Sequence, residues 1–118
     1  MIPNSVPVYL ASQAADMRKG VEGLRRLVRG SLQMNPMTEA MFVFYGKRKN
    51  IVKVLWCGGN GFVIYYKKLE RGSFPIPSIA PWQSHVTLST QDLAMLLDGV
   101  ELATVQRRPH WRAPRDLS

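Results

Sequence analysis

The residues whose types and spacing most plainly suggest chemistry are the lysines and arginines. Lys47, Arg48, Lys49 and Lys53 fall close together, and Lys67, Lys68 and Arg71 follow after a short interval. From Lys47 to Arg71 Glu70 is the one acid, and Trp56, Tyr65 and Tyr66 lie among the cations. Upstream, Arg18, Lys19, Arg25, Arg26 and Arg29 surround Glu22, and Arg107, Arg108, Arg112 and Arg115 load the C-terminal stretch. Cations beside exposed aromatic rings can hold phosphates and stack on bases. Any one cluster is better explained as a solvated face, with its rings belonging to the core. Their sum is harder to explain that way. Sixteen Lys and Arg against eight acids give a net charge of +8, which costs self-repulsion unless a polyanionic partner relieves it.

Catalytic constellations are thin by comparison. Cys57, His85 and His110 cannot assemble a familiar four-ligand zinc site. Gly58-Gly59-Asn60-Gly61 lacks the Lys-Ser/Thr of a phosphate-binding loop and reads as a hairpin turn. The carboxylates are scattered: Asp16 and Asp92 are explained as helix starts, and Glu70 by the cations around it. A two-metal nuclease would need them gathered. Cys57 has no histidine near it in sequence and reads as a buried, inert thiol. The sequence therefore predicts a protein that is not an enzyme, with no metal, no cofactor and no catalytic residues.

The elements that must position the cations follow from periodicity. Val6 to Leu10 reads as a short first strand. Asp16 reads as the cap of a helix that carries Met17, Val21, Leu24, Val28 and Leu32 on one stripe and ends at Asn35-Pro36. Arg18, Arg25 and Arg29 fall on its opposite face. Met41–Tyr45, Ile51–Trp56 and Phe62–Lys67 read as a three-stranded meander with a basic turn at Gly46 to Asn50. Gly72 to Trp82, rich in proline, reads as a loop, and His85–Leu88 as a last short strand. Ser89 or Thr90 caps a second helix through Leu93, Leu96, Leu97 and Val100, with Gly99 at its end. The predicted fold class is α+β, a small single domain over residues 1–104. It holds an antiparallel meander of four or five strands and two helices, in the order β-α-β-β-β-(β)-α. Residues 105–118 are expected to form a basic, flexible tail. No apolar run is long enough to span a membrane and the first residues do not read as a signal peptide. The single cysteine suits a reducing compartment, so a cytoplasmic protein is expected.

Several segments together resemble a known family. Asp16-Met17-Arg18-Lys19-Gly20 with Gly23-Leu24, Phe42-Val43-Phe44 with Gly46-Lys47-Arg48, and Lys53 with Leu55-Trp56 begin the pattern. Gly61-Phe62, Tyr66-Lys67-Lys68-Leu69-Glu70-Arg71-Gly72 with Phe74-Pro75, and Leu93 to Gly99 complete it. In order and spacing they resemble the second-open-reading-frame (Orf2-like) accessory proteins, called TnpB, of the insertion-sequence family sixty-six. The resemblance covers roughly Val8 to Val100. It implies a bacterial mobile element in which a separate, larger transposase acts alongside this small protein. It supplies no active site. The chain departs from the family at Tyr45, Cys57 and Gly58, where a basic residue, an aromatic and an aspartate are common.

Two functions follow as expectations. The first is a non-catalytic accessory protein of transposition that binds DNA, at transposon ends or non-specifically. Arg18, Lys19, Arg25, Arg29, Lys47, Arg48, Lys53, Lys67, Lys68 and Arg71 would contact phosphates, and Trp56 and Tyr66 would offer stacking surfaces. Neutralising six to eight phosphates would give a log–log salt slope of about −5 to −7. The second is a module that docks on the element's transposase without touching DNA, through the apolar stretch Phe74 to Trp82. The oligomeric state is left open by either reading.

Overall fold

The computed structural model describes residues 5–102. In chain order its elements are β1 (Val8–Ala11), α1 (Val21–Gly30), β2 (Met41–Tyr45), β3 (Ile51–Cys57), β4 (Phe62–Lys68), β5 (His85–Leu88) and α2 (Thr90–Leu97). The strands form one five-stranded sheet in the order β4-β3-β2-β1-β5. The α+β class, the two helices and the succession of elements are as the sequence predicts. The stretch 105–118 lies outside the described residues.

β2, β3 and β4 form the expected antiparallel meander, Tyr45 opposite Val52 and Ile51 opposite Lys68. The sheet as a whole is mixed, because β1 runs parallel to β2 with Val8 opposite Met41. A parallel neighbour needs a crossover rather than a hairpin, and α1 is that crossover. β5 then closes the far edge antiparallel to β1, Ala11 opposite His85.

Helix α1 is shorter at both ends than its apolar stripe suggests. It starts at Val21 with Gly20 as its cap residue, and Gly20 makes no side-chain cap bond. The Asp16 carboxylate instead accepts from the Arg18 backbone N–H at 2.9 Å. It also accepts from the Arg18 guanidinium, at 2.7 Å in the shortest contact. Asp16 thus serves a tight turn before the helix. At the other end the helix stops at Gly30, where the chain turns through Gln33 at φ +56°. Helix α2 begins as predicted. The Ser89 hydroxyl accepts from the Asp92 N–H while the Asp92 carboxylate accepts from the Ser89 N–H, a reciprocal capping box. It ends with Gly99 at φ +84°. There Val100 N–H donates to the Met95 carbonyl and Gly99 N–H to the Leu96 carbonyl, the paired bonds of a left-handed helix stop.

The sheet is covered on both faces, which is why every residue of β2 is buried. On one face Leu24 and Val28 of α1 pack with Phe42, Phe44 and Leu55. On the other, Leu93 and Leu96 of α2 pack with Leu10, Val43, Val54 and Phe74. Burial of such side chains contributes roughly 1.5–3 kcal/mol each. Trp56 joins the α2 face as a partly buried ring. A Cβ on Gly58 would come within 2.9 Å of that ring, so the turn glycine gives the indole its space.

Candidate nucleic-acid interface

Strand polarity decides where the cations go. The register places the C-terminal ends of β1, β2 and β4 and the starts of β3 and β5 at the same end of the sheet. At that end lie the Asp16–Lys19 segment, the turn Lys47-Arg48-Lys49, Lys68 and Arg71. Backbone bonds tie the pieces together. Ala15 N–H donates to the Tyr45 carbonyl at 2.8 Å, Leu69 N–H to Asn50 at 2.8 Å, and Phe74 N–H to Lys49 at 2.7 Å. The last two lay the Glu70–Ser73 stretch along the basic turn. The segments forming the opposite end (residues 35–41, 56–62 and 88–92) contain no Lys or Arg. Arg25 does reach that end by lying over Phe62, but it is ion-paired to Glu22.

The cations fall into two groups. Four of those predicted to contact phosphate are engaged within the protein. Arg18 forks onto Asp16. Arg25 pairs with Glu22 at 3.1 Å and lies 4.6 Å from the Phe62 ring centroid. Lys53 donates to the Lys19 carbonyl at 2.7 Å. Lys67 donates to the Leu97 carbonyl at 2.8 Å, a cation on the C-terminal end of α2 where helix carbonyls are unsatisfied. Lys47, Arg48, Lys68 and Arg71 are exposed, and none is hydrogen-bonded or ion-paired among the described residues. Lys49 completes their cluster at φ +59°, left-handed backbone that favours glycine over lysine. Lys19 is half-buried, its stem against Gly23. Arg29 stays on the solvent face of α1, and no bond or register ties it to the sheet end.

The two predicted stacking residues separate in the same way. Tyr66 is 53% exposed on the edge strand β4, with the Lys53 ammonium 5.6 Å from its ring centroid. Trp56 packs into the α2-side core and its indole N–H is buried without a partner, so it offers no platform. Alternation along β3 sets Trp56 on the same face as the buried Val52 and Val54 and opposite to Lys53, a signal in the sequence that the stacking assignment did not use. Cys57 is half-buried and free rather than fully buried.

The Phe74–Trp82 stretch also divides. Phe74 is fully buried, and Ile76 and Ile79 pack on the core, so most of this stretch covers the sheet instead of offering a docking surface. Trp82 is the exception at 84% exposed. It borders an open cleft of about 550 Å³ at the β1–β5 side of the basic end, lined also by Gln13, Gln33 and Gln83. A second hollow of about 270 Å³, bounded by Asp16, Lys19 and Leu27, shares Ser12, Gln13 and Ser31 with the first. Nothing in the sequence pattern signals this cleft, since its residues come from three separated loops.

Electrostatics at the rim are local. The hydrogen bonds from Arg18, first from its side chain and then from its backbone, hold the Asp16 carboxyl well below the usual carboxylate range. Burial pushes the His85 imidazole below its ordinary value, and Nδ1 lies 2.7 Å from the Ser84 hydroxyl. Among the described residues no group of three or more His, Cys, Asp or Glu side chains could hold a metal ion, and no helix is long and apolar enough to cross a membrane.

Comparison with known proteins bears on the same chain. The family described as IS66 Orf2 like protein matches residues 6–107. Two proteins of Sinorhizobium fredii are similar along most of their length. The uncharacterized protein y4hO is 32% identical over 98% of this chain and 93% of its own. The uncharacterized protein y4jC is 30% identical over 86% of each. No solved structure matches the chain significantly. With the family pattern spanning both helices and all five strands, the chain belongs to the IS66 Orf2-like family, the accessory proteins associated with transposition of an insertion sequence.

Proposed function

We propose that this protein serves transposition in the bacterial cytoplasm by binding DNA through the basic end of its sheet, without catalysing strand transfer itself. The observation that carries this reading is the unengaged set Lys47, Arg48, Lys49, Lys68 and Arg71, gathered at one end, while among the described residues the connections at the other end carry no Lys or Arg and the Arg25 that reaches it is ion-paired. Such a set contacts phosphates and therefore positions DNA without reading its sequence. Tyr66 stands on the edge strand beside this set with its ring exposed. Arg25, Lys53 and Lys67 are held by partners within the fold and the exposed Arg18 is taken up by Asp16, so these four are not its phosphate ligands. The test is fluorescence anisotropy on a transposon-end duplex and a scrambled duplex across a salt series. The triple variant Lys47→Gln, Arg48→Gln, Lys49→Gln is measured beside the native chain. The salt slope should fall by about 2 to 3 in the variant, near 0.9 per lost phosphate contact. An unchanged slope in the folded variant would refute the reading.

A second reading, docking on the element's transposase, draws on the outer strand β4. Val63 and Tyr65 are 44% and 39% exposed there, and an uncovered sheet edge can accept another strand. Co-purification with the transposase that survives exhaustive nuclease digestion would favour this reading.

A further inference from the structure

Trp82 presents an indole ring almost wholly to solvent, 84% exposed, while its neighbours Phe74, Ile76 and Ile79 are packed away. The cleft it borders is lined by no charged side chain. Its polar side chains are the hydroxyls of Ser12, Ser31 and Ser84 and the amides of Gln13, Gln33 and Gln83. The Ser84 hydroxyl is paired with His85, and none of the three side-chain amides has a hydrogen-bond partner among the described residues. Gln33 stands at φ +56° where the chain turns out of α1. Neutral amides that both donate and accept are poor phosphate ligands and good partners for base edges. A flat exposed ring beside them is a stacking surface.

We infer that this cleft takes an unpaired nucleobase of the bound DNA, stacked on Trp82 and held at its polar edge by Gln13, Gln33 and Gln83. The inference rests on the DNA-binding reading and adds to it a site for a base where the basic end has sites for phosphates. The base must be unpaired, because in a duplex its faces are covered by neighbouring pairs and no ring can reach them. The route from one site to the other is present. Lys19 lines the adjoining hollow, which shares Gln13 and Ser31 with the cleft. A strand crossing the basic end can therefore carry its next phosphate past Lys19 and its base into the cleft.

The experiment compares a blunt duplex with the same duplex carrying a short single-stranded extension, using the full chain. The native protein should bind the extended DNA roughly ten-fold more tightly, the size of one base–aromatic stack. Trp82→Ala should erase that preference and leave affinity for the blunt duplex unchanged, while Trp82→Phe should keep most of it. Both substitutions sit in solvent and spare the fold. If both DNAs bind with no preference, or the preference survives in Trp82→Ala, the cleft inference fails and the basic end stands. If neither DNA shows salt-sensitive binding, both fail together.

Discussion

The two ends of the sheet are made from the same strands and differ in what their connections carry. At one end the links are the Gly58–Gly61 turn, the capping box of α2 and the return from α1 over residues 31–40, none of which brings a lysine or arginine. At the other the links are longer and loaded with lysine and arginine, several of them without a partner. One lysine there occupies a backbone position that glycine would fill more easily. The difference separates local stability from local purpose. The first end is built as an optimised fold would be, whereas the second carries charge repulsion and backbone strain that packing does not explain.

Three measurements can break or sharpen this contrast. The largest effect should come from a pair of substitutions matched in net charge. Lys68→Gln and Asn60→Glu each lower it by one, at opposite ends of the sheet. Only the first should change DNA affinity, with the salt slope smaller by about 1. Equal effects from both would mean that overall charge matters and the ends do not. The next concerns the engaged cations. Lys67→Met should lower stability by about 0.5–1.5 kcal/mol, the usual worth of a hydrogen bond such as the one Lys67 makes to the Leu97 carbonyl. Lys68→Met should stay within about 0.5 kcal/mol of the native protein, as exposed substitutions do. Urea titration of the two side by side checks this, and a reversed order would undo the division into engaged and free lysines. The smallest and most diagnostic change is Lys49→Gly. Relief of the left-handed backbone should raise stability by up to about 1 kcal/mol while weakening DNA binding. A variant that is more stable yet binds equally well would show that the strain at Lys49 serves no purpose there.

What could be read from the sequence was what depends on neighbours in sequence. The meander, the Gly58–Gly61 turn and the Ser89 cap with Gly99 beyond it are specified within a few residues, and all appear where expected. Asp16 misled because its carboxylate has two local uses, capping a helix or bracing a turn, and Arg18 two positions on selects the second. The parallel pairing of β1 required knowing that α1 crosses from one strand to the other. Among the site residues, the basic turn was legible because hairpin turns are exposed wherever they fall. Lys67 and Lys53 were not, because their partners, Leu97 and Lys19, are remote in sequence and only the folded chain brings them near. Trp56 was expected to offer a stacking surface and instead packs on the core, whereas in the stretch expected to dock on the transposase Phe74, Ile76 and Ile79 are packed away and Trp82 stands free.

The placement of β1 has a consequence for the order of assembly. β2, β3 and β4 are joined by short turns and can pair early, whereas β1 must find Met41 across the whole of α1 and Leu88 across α1 and the whole meander. Contacts between sequence-distant segments pay their loop-closure entropy late. The Lys47–Lys49 turn is therefore in place while the walls of the cleft, which hang from the β1–β5 pair, are still coming together.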